Sequence, residues 1–110
     1  MYGLFYDIIR MGEAVPASVP TSIDLADVYS EIFPLLKEEG EYLGLIDPQG
    51  TTLQVMYHAD EDRYWFEVPR PDLKGSFGAY LSWDSAHDLI KSLAGNFPKE
   101  GYPGFQFNSW

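Results

Sequence analysis

One stretch, residues 42–69, limits what this chain can fold into more than any other. It runs Y-L-G-L-I-D, P-Q-G, T-T-L-Q-V-M-Y-H-A, D-E-D, R-Y-W-F-E-V-P. Short runs rich in β-branched and aromatic residues, separated by turn formers, are the signature of adjacent antiparallel strands. Pro48 and Gly50 mark the first turn; Asp60, Glu61 and Asp62 mark the second. Leu53, Val55 and Tyr57 alternate with Thr52, Gln54, Met56 and His58. Tyr64, Phe66 and Val68 likewise alternate with Arg63, Trp65 and Glu67. Because strand side chains alternate sides, the first set of each belongs to a core and the second to a mixed, partly wet face.

The flanking chain adds helices to this meander. Residues 2–10 predict a first strand that is apolar on both faces, with Tyr2, Leu4, Tyr6 and Ile8 on one side and Phe5 and Ile9 on the other. Residues 11–20 hold Gly12, Pro16 and Pro20 and predict a loop. Thr21 or Ser22 is expected to cap a helix whose positive end suits Asp24 and Asp27. The apolar residues between Ile23 and Phe33 spread too broadly for a clean stripe. Pro34 clashes with a helix interior, so the helix either ends near Phe33 or kinks and continues through Lys37. Gly40 is expected to end it in both cases.

After a polar loop around Asp72, residues 77–81 predict a further strand. Ser82 is the expected N-cap of an amphipathic helix on which Ala86, Leu89, Ile90, Leu93, Ala94 and Phe97 share one stripe. Gly95 and Pro98 limit its end. Phe105 and Phe107 mark a short last strand before Trp110. The order β-α-β-β-β-β-α-β predicts a single α+β domain over residues 1–110, an antiparallel sheet of about five to six strands with two helices packed on it.

Charge narrows the partners. Seventeen Asp and Glu stand against seven Lys and Arg, a net charge of −10. Such a surface repels nucleic acid and anionic lipid and speeds encounter with a basic protein. There is no cysteine, which fits a reducing compartment. The start M-Y-G-L-F-Y-D lacks the basic region and cleavage site of a secretory signal, and no apolar run is long enough for a membrane span. The expected location is cytoplasmic, with the oligomeric state either monomer or homodimer.

Catalytic chemistry finds little support. His58 near Asp60, Glu61 and Asp62 offers imidazole and carboxylates, but zinc sites draw on several His or Cys, and the chain has two His. D-E-D lacks the glycine and distal glutamate of a calcium loop. His87 and Asp88 are neighbours on a helix and do not face one another. No G-x-S-x-G occurs, and G-S-F-G lacks the lysine of a phosphate loop. The expectation is a non-enzyme without metal or cofactor. Tyr and Trp placed beside acids suggest an interface instead, since these residues carry much of the energy of protein association. The candidate partner-binding residues are Asp60, Glu61, Asp62, Glu67 and Asp72 as electrostatic contacts, with Tyr64 and Trp65 as anchors. The alternative for Trp65 and Trp83 is that both indoles only cover the edge of the core.

The C-terminal third carries a family resemblance. L-S-W-D-S-A-H-D-L-I-K-S-L-A-G-N-F is followed by G-Y-P and a closing Trp110. This resembles the small bacterial immunity proteins of polymorphic toxin systems, the group often found beside toxin deaminases. Gly101 and Pro103 hold that group's turn positions, and L-G-L-I-D-P-Q-G-T-T-L-Q-V resembles its hairpin. Trp110 falls later than the shortest spacing of that pattern. The likeness covers residues 43–110. It implies a stoichiometric inhibitor that binds a cognate toxin domain and blocks its active or substrate-binding surface, and the net charge of −10 agrees with a basic partner. The rival readings are an acidic nucleic-acid mimic, an enzyme or small-ligand binder with an acidic pocket, and an adaptor or structural subunit.

Overall fold

The computed structural model describes all of residues 1–110. Its sheet contains strands β1 (Tyr2–Ile8), β2 (Glu13–Val15), β3 (Thr21–Ile23), β4 (Tyr42–Ile46), β5 (Thr52–His58), β6 (Arg63–Arg70), β7 (Gly75–Ser82) and β8 (Gln106–Ser109). Every pairing is antiparallel, in the order β2-β1-β4-β5-β6-β7-β8, with β3 pairing the other half of β1. The fold is α+β with helices on a sheet, as the element order predicts. The eight strands exceed the expected five to six. The surplus is β2 and β3, three-residue strands along one edge of β1. They are too short and too exposed for an alternating pattern, so β2 falls where residues 11–20 read as loop and β3 where residues 21–23 read as the start of a helix.

Three tight hairpins share one turn geometry. Ile9–Met11, Ala59–Glu61 and Pro71–Leu73 each form a short 3-10 turn, closed by a left-handed residue: Gly12, Asp62 and Lys74. Gly12 meets that demand without a Cβ penalty, whereas Asp62 (φ 48°) and Lys74 (φ 55°) do not.

The region expected to be the first helix is irregular. Neither Thr21 nor Ser22 caps it, because both lie in β3. Asp24 occupies the N-cap position without a side-chain cap bond. One α-helical turn, α1 (Leu25–Asp27), widens into a π-helical turn at Val28–Ile32, and a 3-10 turn at Phe33–Leu35 follows. Pro34 sits in the first turn of that last piece, where its missing N–H has no helical partner to lose. The helical path stops at Leu35. Gly40 does not terminate it but belongs to the approach to β4, donating its N–H to Tyr57 O at 3.1 Å. Helix α2 (Trp83–Ser92) is capped by Ser82, whose Oγ accepts from Ser85 N at 3.3 Å. It ends before Leu93, so Leu93 and Phe97 reach the core from the following loop.

Both helical segments cover the same face of the sheet. Leu43, Leu45, Leu53, Val55, Phe66 and Val68 are fully buried there against Val28, Phe33, Ala86 and Ile90. At about 25 cal/mol per Å² of apolar area, burial of this kind is the main force holding the layers together.

Two buried carboxylates pin loops to this core. Glu41 is wholly enclosed and accepts from the backbone N–H of Lys37 and Glu38 at 2.9 Å and of Arg10 at 3.2 Å. Burial pushes its carboxyl up, but these donors and the Arg10 guanidinium outweigh that and hold it below the ordinary carboxylate range. Asp47 closes the β4–β5 turn by accepting from Gln49 N and Thr51 N, both at 2.9 Å.

Candidate functional site

The opposite face of the sheet has no helix on it. Strand register places its side chains in rows. One row runs Phe5, Gly44, Gln54, Glu67, Gly78, Gln106 from β1 to β8. The next runs Asp7, Tyr42, Met56, Trp65, Tyr80. Small residues in the first row create the relief. A Cβ on Gly44 would lie 1.9 Å from Phe5 Cζ, and one on Gly78 would lie 2.4 Å from the Trp65 indole. The glycines therefore let Phe5 and Trp65 lie flat against the sheet.

The outcome is a trench walled by large rings and floored by polar groups. Phe5, Tyr42, Met56 and Trp65 enclose a hollow of about 290 Å³ whose polar lining is Gln54 and Glu67, with Ala17 reaching over from the β2–β3 loop. A second hollow of about 270 Å³ lies across Trp65, between Tyr80 and Gln106. Trp65 is held in place: its Nε1–H donates to Glu67 Oε2 at 3.2 Å, and Ser76 Oγ donates to the same oxygen at 3.1 Å. Its ring packs on Tyr80 with centroids 4.8 Å apart. Tyr80, nearly half exposed, also carries the Arg63 guanidinium 3.5 Å above its ring.

The expected partner-binding residues separate into groups. Trp65 and Glu67 meet in the trench. Tyr64 does not belong with them: it is 4 % exposed and packs on Phe33 on the helix side. Burial pushes its phenol up to about 12. The anchor assignment of Tyr64 is thus corrected, since its position in β6 has the same parity as Phe66 and Val68. Asp60, Glu61 and Asp62 sit at one end of β6, and Asp72 sits beyond the other, roughly 20 Å or more away by strand rise. Asp72 is also engaged, pairing through both oxygens with Arg70 at 2.9 and 2.7 Å. Glu61 pairs with Arg63, and Asp62 accepts from Tyr57 Oη at 2.9 Å. Asp60 alone of the three has no ionic or hydrogen-bonded partner.

His58 makes no hydrogen bond or ion pair with these acids; its Nδ1 meets Glu39 Oε2 at 3.0 Å. No three His, Cys, Asp or Glu side chains gather closely enough to hold a metal ion. No helix is long and apolar enough to cross a membrane.

Sequence reasoning missed Phe5, Tyr42, Met56 and Tyr80 as site residues. The signal was present in the alternation, since Met56 and Trp65 share the outward parity, but their alignment across five strands needs the register. The chain matches no protein-family model, no curated protein and no solved structure.

Proposed function

We propose that this protein is an immunity-type binding module, one that sequesters a basic toxin domain by laying the uncovered sheet face against it. The observation that carries this reading is the row Tyr42–Met56–Trp65–Tyr80, a set of large side chains held rigid on a sheet with no helix over it. Rigid aromatics in partly desolvated hollows are the usual anchors of protein interfaces. A net charge of −10 supplies attraction for a basic partner and raises the encounter rate. The C-terminal likeness to immunity proteins supports neutralisation as the consequence of binding.

Co-expression with the product of the adjacent gene tests it. Copurification and restored growth are expected, with both lost in Trp65→Ala/Tyr80→Ala. Reversing Asp60 and Glu61 to Lys should slow association and weaken its salt dependence. If the double aromatic variant stays folded and protects as well as the parent, the interface is elsewhere. Displacement of the partner by duplex DNA would favour the nucleic-acid mimic.

A further inference from the structure

We propose that the cleft between the β5–β6 turn, residues 33–37 and the start of α2 is a binding site for an alkylammonium cation, the head group of a free or methylated lysine side chain or of a quaternary amine. Five rings line it, packed in series, with Phe33 and Tyr64 almost fully buried at its inner side. Centroids are 5.0 Å apart from Tyr57 to Tyr64, 5.1 Å from Tyr64 to Phe33, 4.8 Å from Phe33 to His87 and 3.6 Å from His87 to Trp83. They line a hollow of about 290 Å³, separate from the trench because it opens on the helix side. Aromatic faces carry negative potential, and cages of them select ammonium groups over neutral ones of the same shape.

A carboxylate completes the cage. Asp62 stands at the mouth, oriented by its left-handed backbone and by the Tyr57 hydroxyl at 2.9 Å. Glu39 acts on Tyr57, and Asp84 and Asp88 on His87, from the flanks. The opposing charges are Lys37 on the wall and Lys91 near His87; neither lies within ion-pair distance of a carboxylate. His87 adds no charge at neutral pH, because burial, and then Lys91, hold it below its ordinary value. Trp83 is 51 % exposed, so one wall stays open to an incoming group. An anion would meet Asp62, and an uncharged apolar group would gain nothing from it. The cation gains from both the rings and the carboxylate.

The test uses small probes on the whole chain, so its outcome does not depend on whether a toxin is the partner. Tetramethylammonium, N-acetyl-lysine amide and its trimethylated form are titrated separately, with tert-butyl alcohol as the neutral isostere. Nitrogen–proton correlation spectra follow the three indole N–H signals, assigned by single Trp→Phe variants. Saturable shifts at Trp83 that the alcohol does not reproduce are expected. Tighter binding of the trimethylated amide assigns the cage to methylated or quaternary ammonium, and tighter binding of the unmodified amide to free lysine. Asp62→Asn, which keeps a residue tolerant of the left-handed turn, should weaken binding about three- to tenfold. Lys37→Met, which removes the competing charge, should tighten it. No saturable shift, equal shifts with the alcohol, or unchanged affinity in both variants overturns the site.

Discussion

The Oδ2 atom of Asp47 accepts the backbone N–H of Phe97 at 2.8 Å, across a sequence separation of 50 residues. With Oδ1 taken by Gln49 and Thr51, one carboxylate ties the β4–β5 turn to the loop after α2. Asp47→Ala leaves three N–H groups without this acceptor at a site only 4 % exposed. A loss of about 2–4 kcal/mol is expected, because each stranded donor costs roughly 1–3 kcal/mol before water compensates. Asp47→Asn keeps Oδ1 and turns an N–H donor toward Phe97, so its cost should be roughly half as great. Urea unfolding of both variants checks this; equal losses would place the effect in the turn alone.

The fit of Phe5 over Gly44 predicts strong coupling. Gly44→Ala should destabilise by about 1–3 kcal/mol, since the ring must leave its buried position. In a Phe5→Ala background the same change should cost far less. A double-mutant cycle with a coupling below about 0.5 kcal/mol would show that the ring moves aside freely.

Lys74 and Asp62 occupy the same left-handed turn position with different compensation. Lys74→Gly should raise stability by about 0.5–1 kcal/mol, because the turn strain is relieved while the backbone bond from Trp110 N to Lys74 O is kept. Asp62→Gly relieves the same strain but loses the Tyr57 hydroxyl bond, so its net change should lie near zero. Thermal unfolding that ranks the two in the opposite order would contradict this.

Acid sensitivity should come in two steps. His87 and Glu41 both titrate lower in the folded chain than when unfolded. The unfolded chain then binds protons first as pH falls, and stability drops. The His87 contribution is complete above about 6.5 and declines below it, down to the folded value. The Glu41 contribution declines only below about 4.3. Denaturant midpoints measured from pH 8 to pH 3 should show both, and His87→Gln should abolish the upper step. A midpoint that stays flat between pH 7 and pH 5 in the parent would refute the assignment to His87.

The meander was legible because its side chains alternate cleanly: Leu53, Val55, Phe66 and Val68 are all fully buried, as their parity demands. The same parity placed Tyr64 in the core, and taking it as an anchor set residue type above position. The helical region at 25–35 was unreadable for a physical reason: its three kinds of turn shift the periodicity, so no single stripe survives. The edge strands β2 and β3 are shorter than any alternating pattern. Trp65 and Glu67 were recognisable as outward residues on adjacent sites of one strand. The rest of the trench comes from β1, β4, β5 and β7, and the cage from residues 33–37, 57–64 and 83–87, so neither has local spacing to detect.

The strand order also sets a sequence of events in time. Among themselves, strands β4 to β7 pair in chain order, so these contacts close through short turns. Strand β1 instead joins β4 across a sequence separation of roughly 35 residues or more, a larger entropic cost that is met before these contacts form. The meander should therefore assemble first and serve as the template on which the N-terminal strand docks late. Val55→Ala should chiefly slow refolding, and Leu4→Ala should chiefly speed unfolding, in stopped-flow traces. The reverse pattern would mean that the longest closure in the sheet, rather than the shortest, nucleates the fold.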